Sequence, residues 1–237
     1  KQAATLVKNG VSVSLAHNAI TEKAVDNPSP FEHTMNPGFF MDTYKVSYHG
    51  YAHSHIDALC HILYKDQTYN GYPRAEVNTE KGCTKLGIDN LKNGVVTRGI
   101  VIDIPRLKNV PYLEPGTPIY VEDLEAWEKK AGVKVSSGDA VLIRTGRWAR
   151  REKLGPWNVA QNAAGVHASV APWFKARGVA FAGSDGALPP GARAGDGPRG
   201  GPRGGTRGHR PADGRAHFRG SPAARPTARG GARRRLG

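Results

Sequence analysis

The composition of the chain changes abruptly at Pro189, and this change limits how much of it can fold. Residues 189–237 consist almost entirely of Gly, Arg, Pro and Ala, with Phe218 and Leu236 as the only large apolar side chains. Such a segment cannot bury enough apolar surface to offset the conformational entropy lost on ordering. We therefore expect residues 1–188 to form one folded domain and residues 189–237 to form a disordered tail.

The net charge of the chain comes mainly from the same tail. Twelve arginines and two aspartates in residues 189–237 account for +10 of the net charge of +14, so the body is close to an ordinary protein. Three Arg-Gly-Gly triplets, at Arg199, Arg203 and Arg229, resemble RNA-binding segments that act through charge and base stacking. Phe218 is the one aromatic residue available for stacking. An RNA-binding tail on a non-catalytic domain is thus the alternative interpretation, but we expect no nucleic acid partner.

Other bulk features exclude a membrane protein and a disulfide scaffold. The chain has no apolar run long enough for a transmembrane helix and no signal-peptide pattern. Two cysteines, Cys60 and Cys83, are too few for a disulfide framework. The sequence therefore predicts a cytoplasmic protein with reduced thiols.

Apolar strands that alternate with helices indicate the class of fold. Val95–Ile104, Ala140–Arg144 and Val179–Gly183 are apolar runs typical of buried strands. Between them, Val121–Ala131 has the apolar spacing of an amphipathic helix, and Ser169–Arg177 predicts a shorter one. This alternation predicts an α/β domain with a partly buried sheet.

The N-terminal part is less regular. Its patterns predict a helix in Lys1–Asn9, strands at Val11–Ala16 and Tyr44–His49, and a loop over Asn27–Gly38. The second of these strands leads directly into the segment that carries the candidate chemistry.

Four histidines and one aspartate lie within thirteen residues. They are His49, His53, His55, Asp57 and His61. Neutral imidazoles with a carboxylate suit zinc, manganese or iron. In an extended segment residues two apart face the same side, so His53, His55 and Asp57 can converge, with His49 further along. Nine histidines in the chain make a chance cluster a real alternative, but the carboxylate and the spacing together favour a metal site.

The stretch Ser54–His61, which reads SHIDALCH, resembles the Thr-His-x-Asp-x-Pro-x-His core of the cyclase family. That family includes bacterial kynurenine formamidases and isatin hydrolases. The similarity continues through Tyr69–Gly71, Arg98–Asp103, Gly138–Gly146 and Gly183–Asp185, and covers roughly residues 1–188. The resemblance implies a cyclase-like (swivelling β/β/α) single domain, incomplete at its C-terminus.

The resemblance also implies roles for individual residues. His55 and Asp57 match metal ligands of the family, and His61 matches a histidine that is a catalytic acid/base or a ligand of a second metal. The implied cofactor is a divalent ion, manganese or zinc.

One position departs from the family pattern. The family has a further ligand, a histidine, where this chain has Tyr51, and a glycine where it has His53. Either His53 takes the missing role, or a local bulge brings in His49. The sequence leaves both alternatives open.

The resemblance implies a hydrolase that cleaves a C–N bond of an amide, formamide or cyclic amide with metal-activated water. Its partners would be a small-molecule substrate and, when the full domain is present, further copies of the chain, with no membrane. In the family, a Pro-x-His element and a Glu-bearing segment follow the Ser-Asp strand, which here ends at Ser184-Asp185. Neither is visible after Leu188, so we expect the aberrant C-terminus to impair activity.

The composition of the tail predicts its origin. Arg, Gly, Pro and Ala are the residues of GC-only codon boxes, so a frameshift in a GC-rich gene would produce such a segment. Sequencing the DNA around codon 188 and restoring the frame should reveal a Pro-x-His element and a Leu- and Glu-rich helix. If no reading frame contains them, this explanation is wrong.

Overall fold

The computed structural model describes residues 2–80 and 82–186, together with the backbone of residues 217–219. Its strands are β1 Glu32–Asn36, β2 Met41–Lys45, β3 His55–Asp57, β4 Asn78–Thr79, β5 Gly82–Cys83, β6 Gly99–Asp103, β7 Pro118–Ile119, β8 Ala140–Arg144, β9 Gly165–Val166, β10 Phe181–Ser184 and β11 His217–Arg219. Its α-helices are α1 Arg74–Val77, α2 Ile104–Lys108, α3 Val121–Ala131, α4 Arg147–Leu154 and α5 Ala171–Ala176. Short 3-10 turns lie at Gln2–Leu6, Leu59–His61, Tyr69–Gly71, Ile88–Leu91 and Ala168–Val170.

A mostly parallel sheet forms the centre of the described fold. Its strand order is β3-β11-β10-β8-β6, and every neighbouring pair is parallel except β11 with β3. Helices α2 and α3 connect β6 to β8, and α4 and α5 connect β8 to β10, as crossovers between parallel strands require. The α/β class predicted from the alternating pattern is confirmed.

Helix α3 agrees best with its prediction, and its ends and its buried face explain the agreement. The Tyr120 backbone N–H donates to Asp123 Oδ2 over 3.0 Å at the start of α3. Gly132 ends the helix in the left-handed conformation, with φ 66°. Leu124 on its inner face is fully buried, so α3 has the predicted bounds because its caps and its apolar face agree.

The main core lies where the sheet meets α3 and α5. It is built from alternate residues of β6 and β8 and from the inner faces of the helices, including Ile100, Ile102, Val141, Ile143, Leu124, Trp173 and Phe174. Alternation along β6 and β8 buries one side of each strand more deeply than the other.

Two buried carboxylates hold the loops around this core in place through hydrogen bonds. Asp139 accepts hydrogen bonds from Arg98 Nε at 2.8 Å and Nη2 at 2.6 Å, and this guanidinium holds the pKa of Asp139 below its usual value. Glu128 of α3 accepts from Arg177 at 2.8 and 3.1 Å and from the Val135 N–H at 2.7 Å. Both carboxylates are therefore satisfied, as burial of a charge demands.

The N-terminal predictions were less accurate. Val11–Ala16 is not a strand, and its valines are exposed. The predicted loop Asn27–Gly38 contains β1, which pairs with β2 as an antiparallel hairpin, and Tyr44–His49 is a strand only at its first two residues. An alternating sequence forms a strand only where it can pair with another strand. In this part of the chain the pairing is between β1 and β2, and Val11–Ala16 is not part of it. The helix expected in Lys1–Asn9 is a single 3-10 turn at Gln2–Leu6.

The two cysteines are joined, contrary to the expected reduced thiols. A disulfide connects Cys60, in the turn after β3, to Cys83 of β5. The hairpin of β4 and β5 brings Cys83 back toward β3, and the Cys60 N–H donates to the Leu86 carbonyl over 3.3 Å. Cys60 is buried beside Ala58 and Val77 in a second, smaller apolar cluster.

Most of the predicted tail lies outside the described residues. Within it, His217–Arg219 form β11, antiparallel to β3 and parallel to β10. In the part of the chain that the structure describes, no helix is both long and apolar enough to cross a bilayer.

Truncation of a buried side chain of β6 should test the core. Ile102→Ala removes a fully buried side chain of β6, and we expect it to lower the free energy of unfolding by about 2–5 kcal/mol. Val101→Ala is the matched control, because Val101 is the next residue of β6 and is 43% exposed; it should cost less than about 1 kcal/mol. Equal effects in urea denaturation would contradict the described burial.

Candidate metal centre

A tight turn after β3 folds the histidine-rich segment onto itself. Asp57 ends β3, Ala58 is extended with φ −71° and ψ 152°, and a 3-10 turn covers Leu59–His61. The His61 N–H donates to the Ala58 carbonyl over 3.0 Å. Because the turn reverses the chain within four residues, the His61 ring lies against the Asp57 carboxylate.

Three imidazoles surround one oxygen of that carboxylate. Asp57 Oδ1 lies 3.2 Å from His49 Nδ1, 3.3 Å from His55 Nε2 and 3.7 Å from His61 Nδ1. The Asp57 and His55 side chains are only 9% and 6% exposed, whereas His61 and His49 are 36% and 67% exposed. The group is therefore anchored in the protein on the Asp57 side and open to solvent on the His49 side.

A contact with the backbone indicates which nitrogen of the His55 ring carries the proton. The other nitrogen faces the Asp57 carboxylate. His55 Nδ1 lies 2.8 Å from the His53 carbonyl, which can only accept a hydrogen bond. Nδ1 must then carry the proton, and in a neutral ring Nε2 is left unprotonated. Among the described residues His55 Nε2 is buried without a hydrogen-bond partner. Two electron-rich atoms, Nε2 and Asp57 Oδ1, thus face each other across 3.3 Å.

This arrangement fits a divalent cation. Two ligand atoms that each lie about 2.0–2.2 Å from one tetrahedral ion are about 3.3–3.6 Å apart, and the distances from Asp57 Oδ1 to the three rings are close to that range. A cation would remove the repulsion between Nε2 and Oδ1, and the hydrogen bond from His55 to a backbone carbonyl is the usual outer support of a metal-binding imidazole. Ligand atoms of His49, Asp57 and His61 all lie within 4.8 Å of one another.

A cavity of about 590 Å³ opens beside these residues. Its lining includes His49, His55 and His61, and on its other side the segment Gly87–Asp89. Sequence reasoning did not identify this second wall. The 3-10 turn at Tyr69–Gly71, one of the stretches that resemble the family, is not part of this cavity lining.

His53 is the predicted residue that the structure does not bring into the group. Its two ring nitrogens are buried and have no hydrogen-bond partner among the described residues, and it lines a separate cavity of about 220 Å³. The expected alternation required an extended chain from His53 to Asp57, but β3 begins only at His55. Gly50, with φ 139°, bends the preceding segment, and His49 therefore reaches Asp57 in place of His53.

A buried arginine holds this bent segment. The Arg147 guanidinium of α4 donates to the Tyr51 carbonyl and to Asp26 Oδ2, the latter over 3.2 Å. Asp26 also accepts from Arg151 Nε over 2.8 Å. Burial lowers the pKa of Arg147, and the Asp26 carboxylate opposes that shift. Sequence reasoning missed Arg147; the only signal was its position directly after Thr145-Gly146, where β8 ends.

Asp185, directly after β10, is buried and anchors a neighbouring loop. It accepts from the Thr145 N–H at 2.6 Å, the Thr145 hydroxyl at 2.9 Å and the Gly146 N–H at 3.0 Å. Burial raises the pKa of Asp185, and these donors oppose the rise. The carboxylate ties the end of β10 to the end of β8 and so fixes the start of the helix that carries Arg147.

Comparison with known proteins agrees with this fold. The family model Cyclase, described as "Putative cyclase", matches residues 11–188, well over half of the chain. The chain therefore belongs to the cyclase family.

Three solved structures are similar to the described fold. The crystal structure of a novel cyclase is 28% identical, with a TM-score of 0.68, and the match covers 77% of this chain and 66% of that one. An isatin hydrolase bound to the product analogue thioisatinate is 16% identical, with a TM-score of 0.44 and coverage of 70% and 61%. Isatin hydrolase A from Ralstonia solanacearum is 19% identical, with a TM-score of 0.41 and coverage of 72% and 63%. The chain thus spans less than two thirds of the length of each. No curated protein matches the sequence significantly.

Replacing the central carboxylate should weaken cation binding. Asp57→Asn keeps the shape of the side chain but removes the charge that the three imidazoles surround, and we expect manganese or zinc affinity to fall at least about tenfold. Asp89→Asn is the matched control, because Asp89 lines the same cavity but is not part of the Asp57 group. Isothermal titration calorimetry gives both affinities; equal loss in the two variants would count against a site at Asp57.

Proposed function

We propose that the chain is a metal-dependent hydrolase that cleaves a C–N bond of an amide, formamide or cyclic amide. The observation that carries this proposal is the convergence of three imidazoles on Asp57 Oδ1, with His55 Nε2 at 3.3 Å while His55 Nδ1 faces the His53 carbonyl. A divalent cation between these atoms would bind the carboxylate and the imidazoles together. Membership of the cyclase family supports a catalytic rather than a structural ion, and the resemblance of Ser54–His61 to the family core supports the substrate class.

Asp57 would hold the ion together with His49 and His55, whose ring nitrogens lie 3.2 and 3.3 Å from Asp57 Oδ1. His55 is not in the group of ligand atoms of His49, Asp57 and His61 that lie within 4.8 Å of one another, so a ring would have to shift for all three ligands to share one ion. The set combines imidazole nitrogen with carboxylate oxygen, and both zinc and manganese accept such ligands. A divalent ion there would polarise a substrate carbonyl and lower the pKa of a water molecule from ~16 toward ~7. Asp57 supplies the one negative charge among the four side chains of the group, so it contributes the main electrostatic attraction.

His61 would transfer the proton to the leaving nitrogen. It borders the same carboxylate as the ligands, but its side chain is 36% exposed, whereas that of His55 is 6% exposed. A ring that reaches the cavity can meet the substrate, and imidazole can accept and donate protons near neutral pH. Asp57 Oδ1, 3.7 Å from His61 Nδ1, would orient the ring.

The wall of the cavity would select a small, partly apolar substrate. Tyr48, Ile56 and Ile88 line it beside the polar group. A pocket with an apolar wall and a few convergent polar groups is the usual form of a small-molecule site. A compact amide or a fused cyclic imide would place its carbonyl at Asp57 and its ring against these side chains.

A cytoplasmic location and assembly into homo-oligomers belong to the same proposal. The exposed β1–β2 hairpin, with Phe39 and Phe40 at its turn 72% and 86% exposed, offers an apolar surface for self-association.

Turnover measurements test the proposed activity. The purified chain, supplied with manganese or zinc, should hydrolyse N-formylkynurenine, isatin or a simple lactam, at a rate that the aberrant C-terminus lowers. His61→Gln should lower kcat about 10²–10⁴-fold because the proton donor is lost, while KM changes little. Lys85→Gln is a suitable control, since Lys85 forms an exposed ion pair with Glu76 and does not line the cavity. A chain that contains no metal and stays inert after both ions are added would refute the proposal.

A further inference from the structure

A second group of metal-binding atoms lies on the other side of His61. The sulfur atoms of Cys60 and Cys83 and a ring nitrogen of His61 all lie within 4.8 Å of one another. Both cysteines line the cavity beside the Asp57 group, and Cys60 is 1% exposed. The group differs from the first in its chemistry, because two of its three donors are sulfur.

We propose that Cys60, Cys83 and His61 form a site for a thiophilic divalent cation such as Zn²⁺ once the Cys60–Cys83 disulfide is reduced. In the oxidised chain the disulfide occupies both sulfur atoms. In the reduced chain two thiols lie beside the His61 imidazole. The site is thus created by reduction and removed by oxidation. This proposal does not require the chain to be a hydrolase.

The opening step is an ordinary thiol–disulfide exchange. A small dithiol attacks one sulfur atom of the pair, the Cys60–Cys83 bond breaks, and the dithiol leaves as its cyclic disulfide, so that both cysteines gain a hydrogen. Binding of Zn²⁺ then releases the two thiol protons to solvent. The reductant can reach the bond through the cavity that both cysteines line.

The backbone already holds the three donors at suitable positions. The Cα atoms of Cys60 and Cys83 are 6.3 Å apart, and the Cys60 N–H bond to the Leu86 carbonyl ties the two segments independently of the disulfide. Two thiolates that bind one zinc ion at about 2.3 Å are about 3.8 Å apart. Rotation of the cysteine side chains can supply that separation while the backbone stays in place. A water molecule would complete four ligands.

The two sites should prefer different ions. Two thiolates and an imidazole favour zinc or cobalt over manganese, because soft sulfur donors bind manganese poorly. His61 belongs to both groups of atoms. An ion held by the sulfurs would therefore draw His61 away from Asp57, and the redox state of one bond would control the ring that faces the first site.

Cobalt titration of the full chain tests the proposal. The protein is reduced with a dithiol, desalted under anaerobic conditions and titrated with Co²⁺, whose thiolate charge-transfer absorption reports sulfur ligation directly. We expect this absorption to saturate at one equivalent in the reduced chain and to be absent from the oxidised chain. The oxidised chain has the same sequence and fold, so this comparison does not depend on a variant that folds.

Three variants then identify the ligands. Cys83→Ser should lose the absorption, His61→Ala should bind Co²⁺ at least about tenfold more weakly, and His49→Ala should keep the affinity, because His49 belongs only to the Asp57 group. The absence of thiolate absorption in the reduced chain, or an unchanged affinity in folded His61→Ala, would overturn the proposal. Failure of the hydrolase proposal is measured separately, as turnover with manganese.

Discussion

The contact between His55 and Asp57 is the constraint on which the functional interpretation depends. A carboxylate beside an imidazole is ordinarily a hydrogen-bonded pair, in which the ring donates its proton. Here the proton is committed to the His53 carbonyl on the far side of the ring, so the facing nitrogen cannot donate unless the ring is charged. Only a proton or a cation can make such a pair favourable, and the other two imidazoles at the same oxygen favour the cation.

The rest of the domain keeps this contact in place. Strand β3 is the edge of the sheet and contributes only His55–Asp57, so the short segments on either side need separate supports. Before the strand, Arg147 binds the Tyr51 carbonyl, and its own position depends on Asp26. After it, the Cys60–Cys83 bond joins the turn of His61 to β5. The buried contacts of Arg147 therefore hold the segment before β3, and the Cys60–Cys83 disulfide holds the turn after it. Both supports are needed because these segments have little regular structure.

Sequence patterns predicted the core better than the site. Strand β8 and helix α3 could be predicted because burial of one face imposes a periodic sequence pattern and Gly132 marks the end of the helix. Both signals come from residues that are close together in the sequence. The choice between His49 and His53 was not readable, because it depends on the bend at Gly50. The Arg147 contact joins residues 96 positions apart, and no local pattern records it. Likewise, β1 could not be separated from a loop by the pattern of Asn27–Gly38.

The three imidazoles differ in exposure, and this difference indicates the side from which a ligand can approach the group. Exposed fractions rise from His55 through His61 to His49, so a ligand can approach from the His49 side and meets His61 before it meets His55. A deeply buried ring is suited to hold an ion permanently, and a ring at the opening is suited to exchange protons with a substrate. The same opening lets His61 turn toward Cys60 and Cys83, which border the cavity. One side chain can therefore serve either the Asp57 group or the group that contains the two sulfur atoms.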